Sequence, residues 1–323
     1  MTKLIQNKIV EAIKRYQTII IHRHQRPDPD AVGSQCGLRD LIKNTFPQKT
    51  VLAAGSSPGS LKFLAEMDQV QDEDYADSLV IVTDTANASR IDDDRYNQAD
   101  HVIKIDHHPS NPDGDYAHLT WEESSYSSCS EMIGELWLNH QDELKMNDAA
   151  ARLLYAGIVG DTNRFLYNAT SPQTMRIAAD LMTYEFDHTE INDLMNRIGE
   201  KEALLMGYVL NNLKILESGM AYIIINQELL QELGIQDEHT QSIVSLPRRI
   251  EGVVTWAIFV QQDNGSYRCR LRSNGPVINH IAAEHDGGGH ALASGANAKD
   301  QDEIDIMIDK LSKAAESFNK VYK

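Results

Sequence analysis

The chain reads as an α/β protein of two domains: an N-terminal domain on a mainly parallel sheet, a linker helix, and a smaller C-terminal α+β domain. Three observations carry that reading. Short apolar runs at Thr18-Ile19-Ile20-Ile21, Ser78-Leu79-Val80-Ile81-Val82 and His101-Val102-Ile103-Lys104-Ile105 alternate with helical segments, as strands of a buried parallel sheet do. After Phe186-Asp187-His188 the texture changes to a helical stretch, about Glu190 to Leu216, followed by strand-like segments of a second unit. The length, 323 residues, suits two domains at roughly 100–200 residues each. The expected boundaries are residues 1–187, 188–216 and 217–323.

Each element has its local reason. Between Met1 and Ile20, Leu4, Ile5, Ile9, Val10 and Ile13 recur at helical spacing with Lys3, Lys8 and Lys14 between them. This is an amphipathic surface helix rather than a signal peptide. The first strand leads through a charged loop into a helix from about Ser34 to Asn44. In the second domain Ala221 to Asn226 reads as a strand, and Thr255 to Gln262 and Tyr267 to Ser273 flank Asp263-Asn264-Gly265-Ser266, where Asn-Gly signals a hairpin. A helix from about Asp302 to Phe318 closes the chain.

Composition narrows the function classes. A formal net charge of -18 disfavours a protein that coats long duplex nucleic acid, which needs a basic face. Three scattered cysteines, Cys36, Cys129 and Cys269, disfavour a disulfide framework or a zinc cage. No stretch approaches the roughly 18 apolar residues of a membrane helix. The expectation is a cytoplasmic, soluble protein.

The chemistry gathers at the ends of the predicted strands. His24-Gln25-Arg26-Pro27-Asp28-Pro29-Asp30 follows the first, Asp84 the second and Asp106-His107-His108 the third, and Asp161 ends Tyr155-Ala156-Gly157-Ile158-Val159-Gly160-Asp161. Ligands collect outside the carboxyl ends of such strands. Taken alone, the first cluster is equally an acidic turn capping the next helix. Together the clusters offer too many carboxylates and imidazoles for one ordinary catalytic ion and suit two, a pair able to stabilise attack at phosphorus by a bridging hydroxide. Mixed oxygen and imidazole ligation fits Mn²⁺, with Fe²⁺, Co²⁺ or Zn²⁺ as substitutes.

His24-x-x-x-Asp28-x-Asp30, Asp84, Asp106-His107-His108 and Asp161 resemble the four motifs of the DHH phosphoesterases, and Gly287-Gly288-Gly289-His290 resembles the glycine-rich motif of their DHHA1 domain. The resemblance implies one metal held by His24, Asp28 and Asp84 and another held by Asp30, Asp84, His107 and Asp161, with Asp84 bridging. It implies that His108 orients the substrate phosphate or protonates the leaving group, and that Asp106 supports an imidazole or loop. It also implies an interdomain cleft and allows a homodimer.

In the second domain, Arg268, Arg270 and Arg272 alternate with Tyr267, Cys269 and Leu271, so the arginines share one face of a strand. Arg268 reads as solvated surface. Arg272 leads toward the glycine-rich segment, whose bare backbone can approach a phosphate; the resemblance makes Arg272, Gly288, Gly289 and His290 the substrate-binding residues. The implied activity is hydrolysis of very short oligoribonucleotides and of 3′-phosphoadenosine-5′-phosphate (PAP) to AMP. The alternatives are hydrolysis of linear dinucleotides such as pApA from cyclic dinucleotide signalling, and a nucleotide sensor without turnover.

Overall fold

The computed structural model describes residues 2–109 and 116–322. It divides the chain into two compact units, Met1–Arg197 and Ile198–Lys323.

In the first unit, α1 (Thr2–Arg15) buries Ile9, Val10 and Ile13 on one face, as its periodicity predicts. Five parallel strands, β1 (Thr18–His22), β2 (Thr50–Ala53), β3 (Leu79–Thr83), β4 (His101–Asp106) and β5 (Leu119–Glu122), form a sheet of order β2-β1-β3-β4-β5. Side chains alternate between two apolar layers. Ile19, Ile21, Leu79, Ile81, Ile103 and Ile105 enter the main core, while Ile20, Val80, Val82 and Val102 enter a second cluster. Burial on both faces is why these strands read as unbroken apolar runs.

Among the described residues this unit also holds the helices α2 (Pro29–Thr45), α3 (Cys129–Asn139), α4 (Asp148–Asp161), α5 (Pro172–Leu181) and α6 (His188–Asn196). Two expectations change. α2 begins at Pro29 rather than near Ser34, because Asp28 caps it, accepting from the Ala31 amide at 2.9 Å, and Pro29 takes the first turn. The run ending at Asp161 forms the last two turns of α4, not a strand. A buried helix and a buried strand give the same short apolar run, and α4 is buried from Leu153 to Val159.

The second unit starts with α7 (Glu200–Asn212). The stretch expected as one helix to Leu216 is two, broken at Arg197–Gly199, where the Gly199 amide donates to Glu202 Oε2 at 3.0 Å and begins α7 afresh. Strands β6 (Lys214–Ile215), β7 (Met220–Ile225), β8 (Thr255–Gln261), β9 (Tyr267–Ser273), β10 (Gly288–His290) and β11 (Ala293–Ala298) form a mixed sheet of order β10-β11-β9-β8-β7-β6. Cys269 and Leu271 pack with Met307 and Leu311 of α10 (Gln301–Tyr322), while Ile258 and Val260 on the opposite face pack with Leu205 and Val209 of α7. The short helices α8 (Gln227–Leu233) and α9 (Asn279–Ala283) complete the unit.

α2 and α4 cross with their backbones in close approach. A Cβ at Gly33 would stand 2.6 Å from the Leu153 carbonyl oxygen and 2.9 Å from the Gly157 amide nitrogen. Backbone cannot yield as a side-chain end can. Gly33→Ala is therefore expected to destabilise the protein by about 1–3 kcal/mol, read as a lowered thermal midpoint; an unchanged midpoint would show that the helices can separate freely.

Candidate metal centre

The acidic side chains expected at the site are set by the elements that carry them. Asp28 uses Oδ1 to cap α2 and leaves Oδ2 3.8 Å from His24 Nε2. Capping and cluster roles, alternatives in the sequence, are both met by one carboxylate. Asp30, in the first turn of α2, is fully buried and accepts from the amides of Cys129 at 2.7 Å and Ser130 at 2.9 Å, at the start of α3. Asp84 follows β3 in a left-handed conformation, φ 52°, which costs a non-glycine residue roughly 1–2 kcal/mol. Asp161 ends α4, where the helix dipole disfavours a carboxylate.

Asp84 lies between two imidazoles. Its Oδ2 is 3.4 Å from His24 Nε2, and its Oδ1 is 3.3 Å from His107 Nε2 and 3.6 Å from His108 Nδ1. His107 Nε2 also lies 3.1 Å from Asp161 Oδ2 and 4.0 Å from Asp30 Oδ2. His24 Nδ1 donates to the Gln25 carbonyl at 2.8 Å, which turns Nε2 toward Asp84 and Asp28. Three groups result whose ligand atoms are close enough to share a metal ion: His24, Asp28 and Asp84; Asp30, His107 and Asp161; and Asp84, His107 and His108. Asp106 stands outside these groups; its Oδ1 accepts from His108 Nδ1 at 2.8 Å and from the His108 amide at 3.2 Å.

The electrostatics fit cations. Burial raises the pKa of Asp30 well above the ordinary range, and the charges of Asp84 and Asp161 add to it. Asp28 keeps half of its side chain in solvent, yet partial loss of water contact, with the same two charges, pushes it up to about 6. Burial and Asp84 also raise Asp161, against the opposing pull of His107. Burial acts to raise Asp84 too, but the imidazoles of His107 and His24 beside it hold it well below the ordinary range. At His107 burial disfavours the charged ring, yet the oxygens of Asp161 and Asp84 outweigh it and push the pKa up to about 12. Asp84 Oδ1, though buried, has no hydrogen-bond donor. A donor set crowded with negative charge, with an unsatisfied oxygen at its centre, fits divalent metal ions.

Arg23, not expected from the sequence, supports this arrangement. It is fully buried and donates through Nη1 to the His24 carbonyl and Asp92 Oδ2, each at 3.0 Å, and through Nη2 to the Ser56 carbonyl at 2.6 Å. The signal in the sequence was a charged residue directly against an apolar strand end. His22, two residues before His24, has its Nε2 3.1 Å from the Tyr75 hydroxyl. Trp121, Trp137 and Trp256 are buried.

In the second unit a cavity of about 390 Å³ is lined by Arg268, Arg270, Arg272, Gly288, Gly289 and Ser294 among others. The arginine face is as expected, but Arg268 is ion-paired with Asp237, which also meets Arg270 at 3.3 Å. His290 is exposed on β10 and is not among the residues lining that cavity.

Residues 18–158 match the DHH family, N-terminal domain, and residues 219–317 match the DHHA1 domain. A Streptococcus mutans protein named probable bifunctional oligoribonuclease and PAP phosphatase NrnA is 51% identical over 90% of this chain and 92% of its own. The chain belongs to the DHH family. The family is one of metal-dependent phosphoesterases. A Bacillus subtilis relative, named bifunctional oligoribonuclease and PAP phosphatase NrnA, is 42% identical over 94% of this chain and 96% of its own. The crystal structure of an exopolyphosphatase-related protein from Bacteroides fragilis has the same fold, with a TM-score of 0.86 at 24% identity over 97% of this chain and 98% of its own. Among the described residues, no helix is long and apolar enough to cross a membrane.

The charge crowding makes a prediction for metal removal. A carboxylate whose folded pKa exceeds its unfolded value stabilises the fold at low pH, and that contribution is lost as pH rises from about 4 through about 6. Chelation is therefore expected to lower the thermal midpoint more at about pH 7.5 than at about pH 5.5. Equal midpoints with and without chelator at both values would show that the cluster needs no cation.

Proposed function

We propose that the chain is a two-metal phosphoesterase that hydrolyses very short oligoribonucleotides and converts PAP to AMP, most effectively with Mn²⁺ and in the cytoplasm. The observation that carries the proposal is the position of Asp84, one oxygen facing His24 and the other facing His107. The names of the relatives at 51% and 42% identity support the substrate class.

In this reading His24, Asp28 and Asp84 would hold one ion, and Asp30, Asp84, His107 and Asp161 the other. A pair of divalent ions, when bound, supplies a nucleophile near neutral pH and stabilises the attacking and leaving oxygens of an in-line displacement at phosphorus. The remaining work falls to the chain. His108, fixed through Nδ1 by Asp106, presents its other nitrogen to the substrate phosphate and either orients it or gives the leaving oxygen a proton. Arg272 offers a guanidinium to a second anionic group, and the backbone at Gly288 and Gly289 admits it closely. His290 completes that binding set from the exposed end of β10. Hydrolysis of PAP breaks its 3′ phosphate ester with one water and yields AMP and inorganic phosphate.

Asp84→Asn keeps the shape and removes the charge. It is expected to lower kcat about a thousandfold or more, roughly 4 kcal/mol of transition-state stabilisation, with the fold intact by circular dichroism. Turnover should be compared on PAP, a diribonucleotide, pApA, pyrophosphate and a long single strand with Mn²⁺ present. Preference for PAP and the diribonucleotide is the expected result; a preference for pyrophosphate or the long strand would defeat the substrate assignment, and an active Asp84→Asn variant the mechanism.

A further inference from the structure

Lys104, on β4 two residues before Asp106, is fully buried. By the two-residue period of a strand it shares the sheet face of Val102, and its Nζ lies 5.6 Å from the centre of the Tyr116 ring. Three oxygens surround this ammonium: Glu122 Oε2 at 2.6 Å, the Ala86 carbonyl at 3.1 Å and Asp106 Oδ2 at 3.3 Å. Two of its three N–H groups donate, to Glu122 and to the Ala86 carbonyl, and the Asp106 carboxylate faces it as an ion pair.

The three oxygens come from three different strand ends. Ala86 belongs to the turn that begins at the left-handed Asp84, and the Tyr116 hydroxyl ties the same turn by donating to the Thr85 carbonyl at 2.7 Å. Asp106 is shared between Lys104 through Oδ2 and the His108 ring through Oδ1. Glu122 ends β5. Stability alone is a weak reason for such an arrangement, because a buried ion pair is often no better than well-packed apolar side chains of similar size.

We infer that Lys104 is a positioning residue for the phosphoesterase site. Through the Ala86 carbonyl it holds the turn that presents the Asp84 carboxylate, and through Asp106 it fixes the direction and Nδ1–H form of the His108 ring. The second part rests on the proposed role of His108 at the substrate phosphate.

Lys104→Met keeps an unbranched stem and removes the ammonium. In the Mn²⁺-loaded full-length protein with PAP as substrate, kcat is expected to fall about 10–100-fold, the size seen when groups supporting a metal site are removed, while KM changes by less than about threefold. In the Mg²⁺-loaded protein, the His108 Nδ1–H resonance should shift or disappear in nitrogen-15 spectra. A folded variant with wild-type kcat and an unmoved His108 resonance overturns the inference. If Lys104→Met does not fold, Lys104→Arg decides: its planar group cannot meet the same three oxygens, so a loss confined to kcat, of about threefold or more, is expected, and an unaltered kcat overturns the inference. Wild-type turnover of PAP is the control. An inert wild type defeats the substrate assignment alone, and the variants are then compared on bis(4-nitrophenyl) phosphate and by the His108 resonance.

Discussion

Mutual repulsion among Asp28, Asp30, Asp84 and Asp161 is the constraint on which the first unit is organised. Four carboxylates near one point are costly to hold in a partly dehydrated site. Three of them are fixed from outside the cluster as well as within it: Asp28 by the α2 amide it caps, Asp30 by two amides of α3, and Asp84 by a turn that forces it into a left-handed conformation. Asp161 is set differently, against His107 3.1 Å away. It is held instead by the rigidity of the helix it terminates.

That rigidity originates in packing remote from any charge. α2 carries Asp28 at its cap and Asp30 in its first turn, and α4 carries Asp161 in its last. Contact at Gly33 and Gly157 brings the two backbones to a separation that no Cβ would permit. A Cβ at Gly157 would also stand 2.8 Å from Asp30 Oδ1 and 2.0 Å from Ser130 Oγ, so the crossing and the carboxylate's seat are one feature. Strands supply the rest: β1, β3 and β4 are parallel neighbours, so His24, Asp84 and Asp106-His107-His108 leave the sheet at the same edge. Ligands so placed need little rearrangement, which is how a site keeps its geometry.

Legibility in the sequence followed from burial. β1, β3, β4 and β9 were apparent because their side chains either meet apolar layers on both faces or alternate strictly, as Arg268, Arg270 and Arg272 do. β2 and β5, four residues each at the two sheet edges, left no such pattern and were not read. α3 also went unread, although its amides seat Asp30. The ligand types and their order were visible along the chain, but which helix end or strand end carried Asp161 was not, since Tyr155 to Val159 is apolar in either form. The buried Arg23 and Lys104 stand against or inside apolar strand runs, a local signal, but the partners that make each burial tolerable are distant in sequence.

The net charge of -18 is at first sight awkward for an enzyme of phosphorylated substrates. The distribution of charge resolves this. The carboxylates of the candidate metal centre are part of that total and are the groups that divalent cations would neutralise locally. In the second unit Asp237 balances part of the positive charge of Arg268 and Arg270, so the cavity presents a moderated rather than an extreme positive wall. A long nucleic acid needs many phosphates neutralised together and gains little from such a surface. A substrate with few phosphates needs a cation at the reacting phosphorus and little further positive charge, so overall acidity does not oppose the chemistry.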